Sequence, residues 1–321
     1  MAEQFLHGVE VIEIDDGSRP ITTVKSSVIG LVGTAPAADD AKFPLNTPVL
    51  IAGKRTEAAA LGSQGTLPGA IDGIFDQVGA MVVVIRVAEG ASDNETIANV
   101  IGGVDEVTGQ YNGVHALLGA ESVVHVTPRI LVAPGFTNHV AVVSEMLGIA
   151  DRLRAVIIAD GPNTNDTAAV DYSKSLGGEG TGYEAFYMVD PQVAVYSQAA
   201  KGNVYFSAAA IALSCFARVK AWESPAKGGM GALIDGTART IDYNIMDKST
   251  NGDLLNRHGV SYFARTSMGG FSLIGNRCVL GRFVSQVGLE YAIIRKLAKT
   301  AQRAMARNLS KSFMEQEITK L

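Results

Sequence analysis

Cysteine is nearly absent from this chain: Cys215 and Cys278 are the two it has, and their spacing fits neither a disulfide framework nor a metal site. Aromatic residues are scarce at 7% and charged residues make up 18%. Long apolar runs are missing as well. The longest, residues 204–217, is interrupted by Ser207, Ser214 and Cys215, and falls short of the roughly 20 residues needed to span a bilayer. Met1-Ala2-Glu3-Gln4-Phe5 has neither a basic region nor an apolar signal core. Nor is there an excess of positive charge. The formal net charge of −5 argues against nucleic acid or an anionic membrane as the partner of the whole surface. These absences predict a soluble protein made in a reducing cytoplasm, with no membrane insertion.

Catalytic groupings are lacking too. Gly177-Gly178-Glu179-Gly180-Thr181-Gly182 is rich in glycine, but it has no Gly-Lys-Ser/Thr ending and no clear strand directly before it. It reads as a surface turn rather than a phosphate loop. The histidines His7, His115, His125, His139 and His258 show no metal-ligand spacing. No serine sits in a Gly-x-Ser-x-Gly elbow. Asp160 and Asp190 follow strand candidates, where α/β enzymes often place acids. Gly161-Pro162 and Pro191 come directly after them, which favours turn and cap roles. The residues therefore predict no catalytic centre, no cofactor and no metal. The competing reading is a nucleotide-handling α/β enzyme using the turn near Gly178.

What the chain does have is 47% hydrophobic residues and 35 glycines in 321 residues, a globular composition with many tight turns. Short apolar runs at 28–32, 49–52, 81–87, 130–133, 155–159 and 186–189 read as strands. Helical patterns lie at 55–61, 68–78, 140–153, 168–175 and 205–220. Residues 104–112 read as an exposed hairpin or loop and 222–259 as turn-rich. Strand character returns at 260–265 and 271–274. The fold class is α/β, or mixed α+β: a mixed sheet flanked by helices.

Both ends carry distinct signals. His7, Val9, Val11, Ile12 and Ile14 form a β-branched segment whose alternation slips at Val11–Ile12, ahead of a break at Gly17-Ser18-Arg19-Pro20. It is either an extended arm before a hinge at Gly17 and Pro20, or an edge strand of the chain's own sheet. A long helix is expected over 287–319. Ile294, Leu297, Ala301, Met305, Leu309 and Phe313 form its apolar stripe, which is expected to hold the domain. Lys296, Lys299, Arg303, Arg307 and Lys311 follow similar steps on another face. From Glu290 onward seven basic residues meet three glutamates, a local +4, so the remainder carries −9. The expected organisation is 1–20 as arm and hinge, 21–125 together with 255–321 as a core domain, and 126–254 as a second α/β subdomain.

Several stretches, in this order, resemble the tail sheath family of contractile phages, its P2-like branch above all. They are Phe5-Leu6-His7-Gly8-Val9-Glu10-Val11-Ile12-Glu13, then Phe43-Pro44-Leu45-Asn46-Thr47-Pro48, then Pro128-Arg129-Ile130-Leu131-Val132-Ala133-Pro134-Gly135. Ala221-Trp222-Glu223-Ser224-Pro225 and Leu254-Leu255-Asn256-Arg257-His258-Gly259 follow. The chain departs from the family pattern at Ile274, where tryptophan is frequent, at Cys278, where threonine is, and at the turn 186–191.

The resemblance implies a structural subunit of a virion tail, assembled in the bacterial cytoplasm. Its implied partners are further copies of itself in stacked hexameric rings, an inner tail tube, and baseplate and terminator proteins. Contraction of such a sheath drives the tube through a cell envelope for genome ejection. An R-type bacteriocin or another contractile injection system fits the same residues. The resemblance favours the arm reading of residues 7–15 as an inter-subunit strand. It also implies that the basic face of the last helix meets the tube. Family members continue several dozen residues past that helix with strands that pair to a neighbour. A chain ending at Leu321 is expected to polymerise less readily by itself.

Overall fold

The computed structural model describes residues 27–176, 185–197, 201–267 and 269–305. Its strands are β1 (Ile29–Thr34), β2 (Val49–Ala52), β3 (Met81–Val87), β4 (Gly103–Val104), β5 (Tyr111–Asn112), β6 (Ile130–Val132) and β7 (Val156–Asp160). They continue with β8 (Phe186–Val189), β9 (Val193–Ser197), β10 (Gly202–Phe206), β11 (Met230–Ala232), β12 (Gly236–Thr237), β13 (Val260–Arg265) and β14 (Phe271–Ile274). The helices are α1 (Arg55–Ala58), α2 (Leu67–Gln77), α3 (Asp93–Ile101), α4 (Ala120–Val124) and α5 (Val140–Leu153). After them come α6 (Asp166–Ser175), α7 (Ala208–Ala217), α8 (Pro225–Gly228), α9 (Asn251–Arg257) and α10 (Val284–Met305).

Nine of the strands make one sheet in the order β11-β14-β13-β8-β7-β6-β1-β3-β2. From β13 through β3 every neighbouring pair is parallel. The outer pairs β2·β3, β13·β14 and β11·β14 are antiparallel, so the sheet is mixed. Because successive side chains alternate between faces, an apolar run supplies two cores at once. Leu31, Val82, Val84, Val132 and Ile158 pack with Ile71 and Ile74 of α2 and Ile211 of α7. Val32, Val83, Ile85, Leu131 and Ile157 pack on the other side with Val143 and Met146 of α5 and Leu255 of α9. Both faces are covered, which is why the strands read as continuous hydrophobic runs.

The segments expected as two units share this sheet. Strands β6, β7 and β8 from 126–254 lie between β1 and β13. That same segment adds a three-stranded antiparallel sheet, β10-β9-β12.

Two local readings are corrected. The helix expected over 205–220 is α7 alone, and residues 205 and 206 close β10. Ser207 caps the helix by accepting the Ala210 N–H at 3.1 Å. Tyr205 is exposed while Phe206 packs inward, an alternation that marks a strand. Helix α3, which the apolar pattern leaves unmarked, is fixed by a pair of side-chain caps close to a capping box, displaced by one residue. Ser92 Oγ accepts the Glu95 N–H at 3.3 Å, and Glu95 Oε2 accepts the Ala91 N–H at 2.9 Å.

Candidate assembly surfaces

Asp160 ends β7 at the carboxyl edge of the parallel strands, beside the point where the chain order reverses about β1. Folds of this kind place ligands in that crevice. Here the carboxylate is fully committed to a helix. Ser207 Oγ donates to Asp160 Oδ2 at 2.6 Å, the Ala209 N–H to Oδ1 at 3.0 Å and the Gly135 N–H to Oδ2 at 3.4 Å. The carboxyl thus sits at the amino end of α7, where unpaired N–H groups and the helix dipole favour negative charge. Burial still dominates and pushes the Asp160 carboxyl above its ordinary value, against those hydrogen bonds.

Asp190 directly follows β8 and is equally occupied. It accepts the Asn163 N–H at 2.7 Å and an Arg239 N–H at 2.6 Å. Arg239 also donates to Asp166 at 2.7 Å. The network joins the start of α6, the turn after β8 and the segment after β12. Neither aspartate is the local turn residue that its neighbours Gly161 and Pro191 predict; each bonds across the fold instead.

Burial pushes the Cys215 thiol up to about 12, so it stays protonated. His115 faces Glu145 at 2.9 Å. Among the described residues no group of three or more His, Cys, Asp or Glu stands ready for a metal, and no helix is long and apolar enough to cross a membrane. The glycine turn 177–182 lies outside the described residues.

The terminal helix corrects the sequence reading most. Val284, Val287 and Gly288 are buried and Tyr291 is half-buried, and this face packs on the sheet's first core. The described part of the expected stripe is not docked: Ile294 is 37% exposed and Leu297 46%. With Leu289 at 44% and Ile293 at 49% they form an open apolar ridge. From the docked face, a rotation of about 100° per residue puts Lys299 and Lys296 roughly 60° and 120° round the axis, and Ile293 roughly 180° round it. Lys299 is exposed and Lys296 half-buried. None of residues 296–302 is buried, so the helix is held by its first three turns and the rest stands clear. The expected stripe fails because it begins at Ile294, beyond most of the contact with the body. Arg303 lies in the described backbone of α10. Arg307, Lys311, the arm residues His7, Val9, Val11, Ile12 and Ile14, and the hinge at Gly17 and Pro20 lie outside the described residues.

A wide sheet covered on both faces, with its edge carboxylates committed to a helix start and an internal ion pair and its last helix projecting, has the build of a structural α/β subunit. Known proteins narrow that class. Residues 26–87 match the family described as Tail sheath protein Gp18 domain III N-terminal region. A prophage major tail sheath protein of Pseudomonas aeruginosa (strain UCBPP-PA14) is 33% identical over 319 residues, which is 97% of this chain and 80% of the relative. The tail sheath protein of Escherichia phage P2 is 33% identical over 285 residues, 85% of this chain and 69% of the relative. The chain belongs to the tail sheath protein family. Its fold is also that of the anti-feeding prophage helical sheath in the contracted state. That likeness has a TM-score of 0.61 at 15% identity, over 99% of this chain and 82% of the other.

Proposed function

We propose that this chain polymerises as stacked hexameric rings around an inner tail tube, and that the sheath shortens on a baseplate signal to drive the tube through a cell envelope for genome ejection. The observation that carries this is the match to the P2 and prophage sheath proteins, which takes in almost all of the chain. Helical polymers need heterologous contacts that repeat without closing. A strand arm at His7, Val9, Val11, Ile12 and Ile14, hinged at Gly17 and Pro20, supplies one. Its main-chain hydrogen bonds survive rigid-body rotation of the subunits. The tail terminator and baseplate cap the polymer, the subunits assemble in the host cytoplasm, and the chain has no catalytic activity of its own.

In this reading Lys296, Lys299, Arg303, Arg307 and Lys311 face an acidic tube. The exposed Lys299 and the projection of the helix past its docked turns support it. Exposed ion pairs contribute at most about 1 kcal/mol each, so the grip is weak, salt-sensitive and reversible, as a sheath that must widen requires. The test is a full-length sheath carrying Lys299→Glu, Arg303→Glu and Arg307→Glu, co-expressed with its tube protein and imaged by electron microscopy. Extended sheath on tubes is expected to disappear, while contracted tubes, which need no inner tube, persist. Normal extended sheath at physiological salt would exclude this face.

A further inference from the structure

At the amino ends of β6 and β7, opposite the Asp160 edge, two arginines meet under α10. Arg129 comes from the residue before β6 and Arg295 from the last docked turn of α10. Arg129 donates one Nη1–H to the Leu153 carbonyl, and Arg295 donates one to the Arg154 carbonyl at 2.8 Å. Both carbonyls belong to the carboxyl end of α5. A helix end carries only about half a unit of negative charge, less than either cation it faces.

The rest of each guanidinium is poorly met. The Nε atoms of Arg129 and Arg295 are both buried without a hydrogen-bond partner. The nearby carboxylates are engaged elsewhere. Glu223 accepts from the Lys220 N–H at 2.9 Å and from Lys227 Nζ at 2.7 Å. Asp151 is held by Arg154, and Glu121 accepts from Thr127 at 3.0 Å. Burial and then the positive charge of Arg129 hold Arg295 down to about 10, which still leaves both side chains charged at neutral pH. Two like charges partly withdrawn from water are costly, and the Glu121 carboxylate offsets only part of the burial of Arg129.

The space between them is shaped to relieve that cost. Arg129, Arg154, Arg295 and Lys220 line one cavity of about 30 Å³ together with Glu223, whose carboxylate is already taken by the Lys220 N–H and Lys227, and with apolar walls that include Phe216 and Val284. That is room for one small group. A guanidinium offers its Nε and Nη hydrogens as a fork that matches two oxygens of one anion. Apolar walls strengthen such a contact by lowering the local dielectric.

We infer that Arg129 and Arg295, flanked by Arg154 and Lys220, form a receptor for a single oxyanion, a carboxylate or a phosphate, beneath α10. The ligand has two sources of the same chemistry: a free inorganic anion, or an acidic side chain of a neighbouring copy of this chain. The second source rests on the proposed polymer; the receptor itself does not.

Thermal unfolding and calorimetry of the chain in sodium phosphate and in sodium sulfate, against sodium chloride at matched ionic strength, test it. The expected result is a single site and a rise in the midpoint of about 2–4 °C near ten-fold excess over the dissociation constant. Arg295→Gln and Arg129→Gln are each expected to abolish the rise. Arg154, whose side chain is 44% exposed and pairs with Asp151, is the milder site, and Arg154→Gln is expected to weaken binding several-fold. Equal midpoints in all three salts, or binding undiminished in Arg154→Gln and Arg295→Gln, would overturn the receptor. Phosphate binding to assembled particles then identifies the source. Sites still open in the particle point to a free anion, and sites closed in the particle but open in the isolated chain point to a neighbour's carboxylate.

Discussion

Asp160 is 6% exposed and its two oxygens take three hydrogen bonds from two segments, the start of α7 and the loop after β6. Its carboxyl is raised above the ordinary value because burial penalises the charged form. The folded state therefore binds a proton more tightly than the unfolded chain. The resulting stability is fully present below the unfolded value of about 3.9 and is lost as pH rises through the folded value. Asparagine keeps the shape and removes the titration. Denaturant unfolding of the chain and of Asp160→Asn between pH 8 and 4 should show the variant falling further behind as pH drops. Inside the window the gap grows by up to about 1.4 kcal/mol per pH unit. A gap that stays flat across this range would mean that Asp160 is not raised. The same residue shows why an acid at a strand end is a poor guide to catalysis. Its partners Ser207 and Ala209 are far along the chain, and nothing local announces them.

The docked face of α10 is open to a direct comparison at the level of the helix. Val287→Ala, on the buried side, should cost about 1.5–3 kcal/mol. Ile294→Gln, on the open ridge, should change the stability of the isolated chain by no more than about 0.5 kcal/mol. The reverse ranking in urea titrations would restore the face that the sequence predicts. Where a run was bounded by turn residues, the sequence placed the element well: β2, β3, β8, α5, β13 and β14 have the bounds expected of them. Failures came where composition is ambiguous or tertiary contact decides. The run from Val204 is apolar enough to continue a helix backwards, and only the alternation around Tyr205 separates β10 from α7. On α10 several faces contain apolar residues, and the choice between them is made by the body beneath. Gly288 illustrates that choice: a Cβ there would stand 1.9 Å from the Ala221 carbonyl oxygen, so only glycine lets the helix lie so close. The basic steps at Lys296 and Lys299 were legible. The Arg129–Arg295 pair was not, because nothing in either segment refers to the other.

Across the molecule, the sheet joins almost everything described, and the chain enters it in its interior. Residue 27 leads directly into β1, an interior strand with β3 on one side and β6 on the other, parallel to both. Pairing with β3 runs from Ile29↔Val82 to Thr34↔Val87, and with β6 from Ile29↔Ile130 to Leu31↔Val132. Tension arriving from the amino-terminal side would draw β1 along its own axis, and the hydrogen bonds to both neighbours would resist together, as rivets do in a lap joint. The same tension applied at the outer strand β2 would meet the hydrogen bonds of one neighbour, β3, instead of two. Forced unfolding is governed by the unfolding rate, so the two geometries should differ in rupture force. Optical-trap pulling between a handle at residue 27 and one on α10 should need a clearly higher force than pulling between α10 and a handle at Ala52. Equal forces would mean that β1 is not the strand that carries the load.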